Sequence, residues 1–114
     1  MIDWSLMIAP ETRAAEARAA ARAALKTRRD AEIAAGILCE GLPVATDDVS
    51  QARLAGAALA ALMDPDLRLG WKLPDGRFVT LDGAQVLTLA RAVRAHVQAC
   101  FDREAAALAQ LDAG

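Results

Sequence analysis

The chain has 114 residues, a formal charge of −2 and a pI near 5.3. That length fits one domain, and the acidic balance argues against a nucleic-acid module, which carries a basic face. The hydrophobic fraction is 55%, but a large share of it is alanine, which favours helix more than it supplies burial. Large side chains are few, with two Trp, two Phe and no Tyr, so the long helices need a partner: either each other or a second subunit.

Residues 1–9 read as an apolar arm, with Trp4, Leu6, Met7 and Ile8 in close succession. Something must cover these side chains, on this subunit or on another. The arm is no secretory signal, because Asp3 stands where a basic region is expected. No apolar run approaches the ~20 residues of a membrane span, so a soluble protein with no membrane partner is expected.

Residues 10–114 read as a single domain. Pro10 opens a helix in the first turn, where proline is best tolerated, and Glu11 favours the dipole there. From Glu11 to about Ala35 no Gly or Pro intervenes, which predicts about 25 helical residues spanning about 38 Å. Its apolar stripe is mostly alanine until Leu25 and Ile33, so the helix is stable only when packed. The basic run Lys26, Arg28 and Arg29 reads as a solvated face near the helix end. Gly36 is the natural stop.

Ile37 to Ala45 predicts a small hairpin, with Gly41, Leu42 and Pro43 as its loop and Pro43 marking an edge. Asp47 or Asp48 can cap a second helix, and Asp48 with Gln51 has capping-box spacing. That helix is predicted to reach Met63, with a stripe of Val49, Leu54, Ala57, Ala58, Ala61 and Leu62. Gly56 inside it costs about 1 kcal/mol relative to alanine, and a close backbone contact would account for it. Asp64-Pro65-Asp66 ends the helix.

The clearest local signal follows. Arg68 to Leu73 and Arg77 to Leu81 flank Pro74-Asp75-Gly76, where proline presets φ and Gly76 accepts a positive one. Trp71 is expected in the core beneath the helices. Asp82 caps a last helix running to about Ala113, with Val86, Leu89, Ala90, Val93, Val97, Cys100, Phe101, Leu108 and Leu111 as its stripe. The fold class is therefore α+β and mostly helical, in the order α-ββ-α-ββ-α. Two long outer helices enclose a small β-hairpin sheet and a short helix. Asp48, Gln51, Gly56, Trp71, Gly76, Phe78 and Phe101 are the positions read as structural.

Motifs that carry chemistry are weak. His96 and Cys100 share one helical face at the spacing of two metal ligands. A site would still need Cys39 and a carboxylate such as Asp102 or Glu104. The single His would have to serve Ser5, Ser50 or a cysteine in nucleophilic catalysis, and Cys100 one turn away leaves no room for a substrate. Asp47 and Asp48 are explained by capping, and the glycines are isolated turn residues rather than a phosphate loop. Cys39 and Cys100 read as free thiols. No catalytic residue, cofactor or metal site is expected. A small enzyme or metal protein centred on Cys39, His96 and Cys100 is the minor alternative.

The run from Arg29 to Phe101 resembles the DUF4376 family, domains of unknown function found in bacteriophage and prophage tail proteins. The residues that carry the likeness are Arg29-Asp30, Gly41, Thr46 to Gln51, Gly70-Trp71-Lys72, Asp75-Gly76, Phe78 to Leu81 and His96 to Phe101. The first 28 residues lie outside it. The resemblance implies a tail-associated structural or assembly protein and supplies no catalytic residues. It leads to the expectation of a non-enzymatic phage or prophage tail adaptor that forms a homo-oligomer through its outer helices. Such a subunit would dock on a tail or tail-fibre component through Trp4, Leu6, Met7 and Ile8, and would reside in the bacterial cytoplasm during assembly and then in the virion tail. The alternative is a tail-fibre assembly chaperone absent from the mature particle.

Overall fold

The computed structural model describes residues 9–114; the arm residues Trp4, Leu6, Met7 and Ile8 lie outside them. Helix α1 (Pro10–Ala34) is followed by strands β1 (Ile37–Cys39) and β2 (Leu42–Val44) and helix α2 (Asp48–Met63). Strands β3 (Arg68–Lys72) and β4 (Phe78–Asp82) then lead into helix α3 (Gly83–Ala113). The order is the expected one. The two hairpins do not join: each is its own two-stranded antiparallel sheet.

Packing centres on α3, against which α1, α2, β1 and β4 all lie, with no comparable contact between α1 and α2 among the described residues. α1 runs antiparallel to α3, because Arg22 pairs with Asp112, Arg29 with Glu104 and Glu32 with Arg103. The long helices therefore pair within one chain. The end of α2 meets the start of α3: a Cβ placed on Gly83 would lie 3.7 Å from the Ala61 side chain and 3.2 Å from the Pro65 carbonyl oxygen. So α2 is antiparallel to α3 as well, and α1 and α2 follow one another along a single helix. The result is a rod of 74 × 28 × 23 Å with a radius of gyration of 21.1 Å, against about 13 Å for a compact domain of this length.

Local chemistry sets each junction. Gly36 ends α1 with φ +83°, and a Cβ there would stand 3.3 Å from the Val44 carbonyl oxygen. The buried Thr46 hydroxyl accepts from the Gly36 N–H at 2.9 Å and donates to the Ile33 carbonyl, one of the carbonyls a helix end leaves open. In the first hairpin the loop is Glu40-Gly41, both at positive φ. This two-residue turn matches the strand twist, so Leu42 and Pro43, expected in the loop, lie in β2, where Pro43 faces Leu38. In the second hairpin Gly76, φ +91°, donates to the Leu73 carbonyl at 2.9 Å.

The helix caps divide as follows. At α3 the Asp82 carboxylate accepts from the Gln85 N–H while the Asp82 N–H donates to the Gln85 side chain, a complete capping box. At α2 the cap is Asp47, whose carboxylate accepts from the Ser50 N–H and hydroxyl. Asp48 is the first helical residue, and Gln51 reaches past the cap to the Thr46 carbonyl at 2.8 Å. The Asp48–Gln51 box is thus replaced, because the extended backbone that a cap needs falls one residue earlier.

The core gathers Val44, Leu54, Leu81, Val86, Leu89 and Val93 between α2, α3 and the hairpins. Trp71 packs against this cluster from its edge, half-buried. Phe78 is 71% exposed: the two-residue period of β4 turns Val79 and Leu81 inward and Phe78 outward, under the Lys72 ammonium. Phe101 is exposed because Cys100 takes the inward position beside it, and its ring carries the Arg29 guanidinium at 4.7 Å. Val49 and Leu62 of the α2 stripe are exposed too. Gly56 meets nothing within 4 Å of an added Cβ, so no close contact explains it.

These positions make opposite predictions. In urea denaturation, Gly36→Ala should lower the unfolding free energy by more than ~1 kcal/mol, whereas Gly56→Ala, free of clash and of positive φ, should raise it by about 0.5–1 kcal/mol. Equal effects at the two positions would contradict this account.

Candidate functional site

The seam between α1 and α3 forms a cleft of about 290 Å³, lined by Leu25, Arg28, Arg29, Glu32, Arg103 and Glu104 among others. Arg29 was expected on a solvated face. Instead its side chain is only 17% exposed and bonds Glu104, itself 13% exposed, at 2.7 Å. Its other donors reach Asp30. Glu32 accepts from Arg103 at 2.9 and 3.1 Å and from Arg28 at 2.9 Å. Every guanidinium lining the cleft thus has a carboxylate, so it joins two helices rather than capturing an anion. A sequence signal for this exists: Arg22 and Arg29 on α1 are spaced much as Glu104 and Asp112 on α3. It reads out only once antiparallel pairing is known.

His96 and Cys100 sit at the head of this seam. The His96 Nε2–H donates to the Glu32 carbonyl oxygen at 2.9 Å, which leaves that nitrogen no lone pair for a metal or for a thiol proton. Cys100 Sγ lies 3.9 Å from it and 3.3 Å from Arg103 Nη2, in a buried position. Among the described residues no group of three or more His, Cys, Asp or Glu is placed to hold a metal ion. His96 instead ties α3 to the last turns of α1.

A second surface was not legible in the sequence. Beyond the seam, α2 and α3 leave an open groove of about 410 Å³ whose floor and walls include Leu54, Ala58, Leu59, Leu62, Val93 and Val97. Leu59 is 60% exposed, Leu62 69% and, next to it, Met63 78%. Gln51 and Arg94 supply the polar groups at the groove. Arg94 takes part in none of the ion pairs among the described residues. The groove exists because α2 presents alanines at 55 and 58 to α3, and small side chains leave the space between the helices unfilled.

The seam has a pH signature. Hydrogen bonds from Arg103 first and Arg28 second hold the Glu32 carboxyl below its ordinary value of 4.5. A carboxylate depressed in the folded state stabilises above the unfolded value and loses that contribution as the pH falls through the folded one. Glu32→Gln should therefore lower the thermal midpoint at neutral pH, and the gap to wild type should close as the pH drops below 4.5. A gap unchanged down to strong acid would show that the pairing does not stabilise the fold.

A family profile described as a domain of unknown function, DUF4376, matches residues 16–114. The match is wider than the likeness over 29–101: it takes in most of α1 and all of α3, the two partners of the charged seam. No helix of the described residues is long and apolar enough to cross a membrane. No curated protein and no solved structure matches the chain. The chain belongs to the DUF4376 family of domains of unknown function.

Proposed function

We propose that this chain is a non-enzymatic structural or adaptor subunit associated with a phage or prophage tail, which self-associates and docks through its N-terminal arm. The observation that carries the reading is the contrast between its two surfaces. The polar cleft is filled by the chain's own ion pairs, while the apolar groove and the exposed Leu59, Leu62 and Met63 have no counterpart within the rod. Exposed contiguous apolar surface of this kind marks interaction sites. The elongated shape suits a part that spans or bridges neighbours. The tail setting comes from the family resemblance, and the cytoplasm of the bacterial host is where assembly would take place. With α1 and α3 committed to each other, the faces left for partners are the first turns of α1, the groove and the outer face of α2.

Mass spectrometry of purified particles from a producing strain tests the setting. The building-block reading expects this chain at stoichiometric copy number. Its absence from particles, with loss of fibres when the gene is deleted, would replace it with an assembly chaperone. Trp4→Ala with Leu6→Ala should weaken incorporation or partner binding by about tenfold or more, as loss of aromatic anchors does. Unchanged self-association and unchanged partner binding would sink the docking arm.

A further inference from the structure

The groove between α2 and α3 and the start of α1 at Pro10 lie toward opposite ends of the rod. His96, beside the groove residues Arg94 and Val97, is hydrogen-bonded to the carbonyl of Glu32. The near end of the groove is therefore level with the last turns of α1. From Glu32 back to Pro10, α1 runs without a break, a distance of about 33 Å at 1.5 Å per residue. Trp4 is tethered to Pro10 by a segment that spans at most about 22 Å fully extended. The arm's anchors cannot reach the groove of their own chain, whatever conformation the arm takes and whatever precedes it.

We propose that the groove is the seat of the N-terminal arm of a second copy of this chain, with Trp4 and Leu6 between α2 and α3. This rests on the reading of the arm as a docking segment and names what it docks on. The chemistry of the two parts matches. The groove volume of about 410 Å³ lies within the range of about 300–1,000 Å³ that accommodates compact apolar ligands. Its walls are aliphatic, and its cation, Arg94, has no carboxylate within the described residues. The arm supplies Asp3 directly before Trp4, so one carboxylate arrives with the aromatic anchor. Each copy offers one arm and one groove, and two copies related by a two-fold axis exchange both. The exchange covers Leu59 and Leu62, two of the exposed leucines that the single rod leaves in solvent.

The test is the self-association constant of the full-length chain, measured by sedimentation equilibrium, with folding checked by circular dichroism. Trp4→Ala with Leu6→Ala on the arm should weaken association about tenfold or more, and Leu59→Glu with Leu62→Glu in the groove should do the same. The groove substitutions fall on exposed positions and remove no core. Because both pairs delete one contact, the combined variant should associate no more weakly than either pair alone. A chain that stays monomeric at every concentration overturns the proposal, as do additive losses or a groove variant that associates like wild type. If in that last case the arm variant alone loses association, the arm docks but sits elsewhere. If the arm variant also matches wild type in association and in particle binding, the docking arm itself is wrong.

Discussion

Alanine-rich helices gain little from burial, and α1 has one buried side chain, Ile33, in 25 residues. What fixes it is α3, a continuous helix of 31 residues that offers carboxylates and an arginine in antiparallel register with the arginines and glutamate of α1. The same helix, nearer its start, buries Val86, Leu89 and Val93 against α2 and the hairpins. One element thus serves two kinds of packing, apolar at one end and charged at the other. Laying α1 and α2 end to end along it makes the molecule a rod instead of a bundle. A bundle would need three mutually apolar helices, and α1 has too few large side chains to be the third.

The joint between the two packing regimes is small. Thr46 bonds both the Ile33 carbonyl and the Gly36 N–H, Gln51 bonds the Thr46 carbonyl, and His96 bonds the Glu32 carbonyl. These polar groups close the end of α1, tie it to the start of α2 and hold α1 to α3. Buried and part-buried hydrogen bonds of this kind contribute modestly when made and cost more when one partner is lost. The joint therefore gives the rod its direction more than its stability. It also holds the groove at a constant distance from the start of α1.

Much of this was legible in the sequence. Pro10, Gly36, Asp82 and the Pro74-Asp75-Gly76 turn each act within a few residues of themselves, and each stands where it was expected. The misses were also local, and each has a cause. Of the two aspartates that the sequence offers as caps of α2, the backbone direction chooses Asp47, so the Asp48–Gln51 box does not form. Glu40 took a positive φ that a non-glycine residue seldom adopts, which shortened the first loop. Phe78 and Phe101, both read as structural and Phe101 as part of the α3 stripe, are exposed. Strand alternation and the neighbouring Cys100 turned them outward, where Lys72 and Arg29 cover them.

Taken alone, the sequence determined the number, kind and order of the helices and hairpins, because caps, turns and apolar periods are short-range properties of the chain. It could not say which helix faces which. An alanine surface packs almost equally well in several registers, and the ranking among them comes from charge pairs between residues far apart in the chain. Only the tertiary structure decided that Arg29 is a half-buried partner of Glu104 and not a solvated cation. Only there do Leu59, Leu62 and Arg94 become the walls of a groove, since a groove is the space left where two helices of small side chains meet.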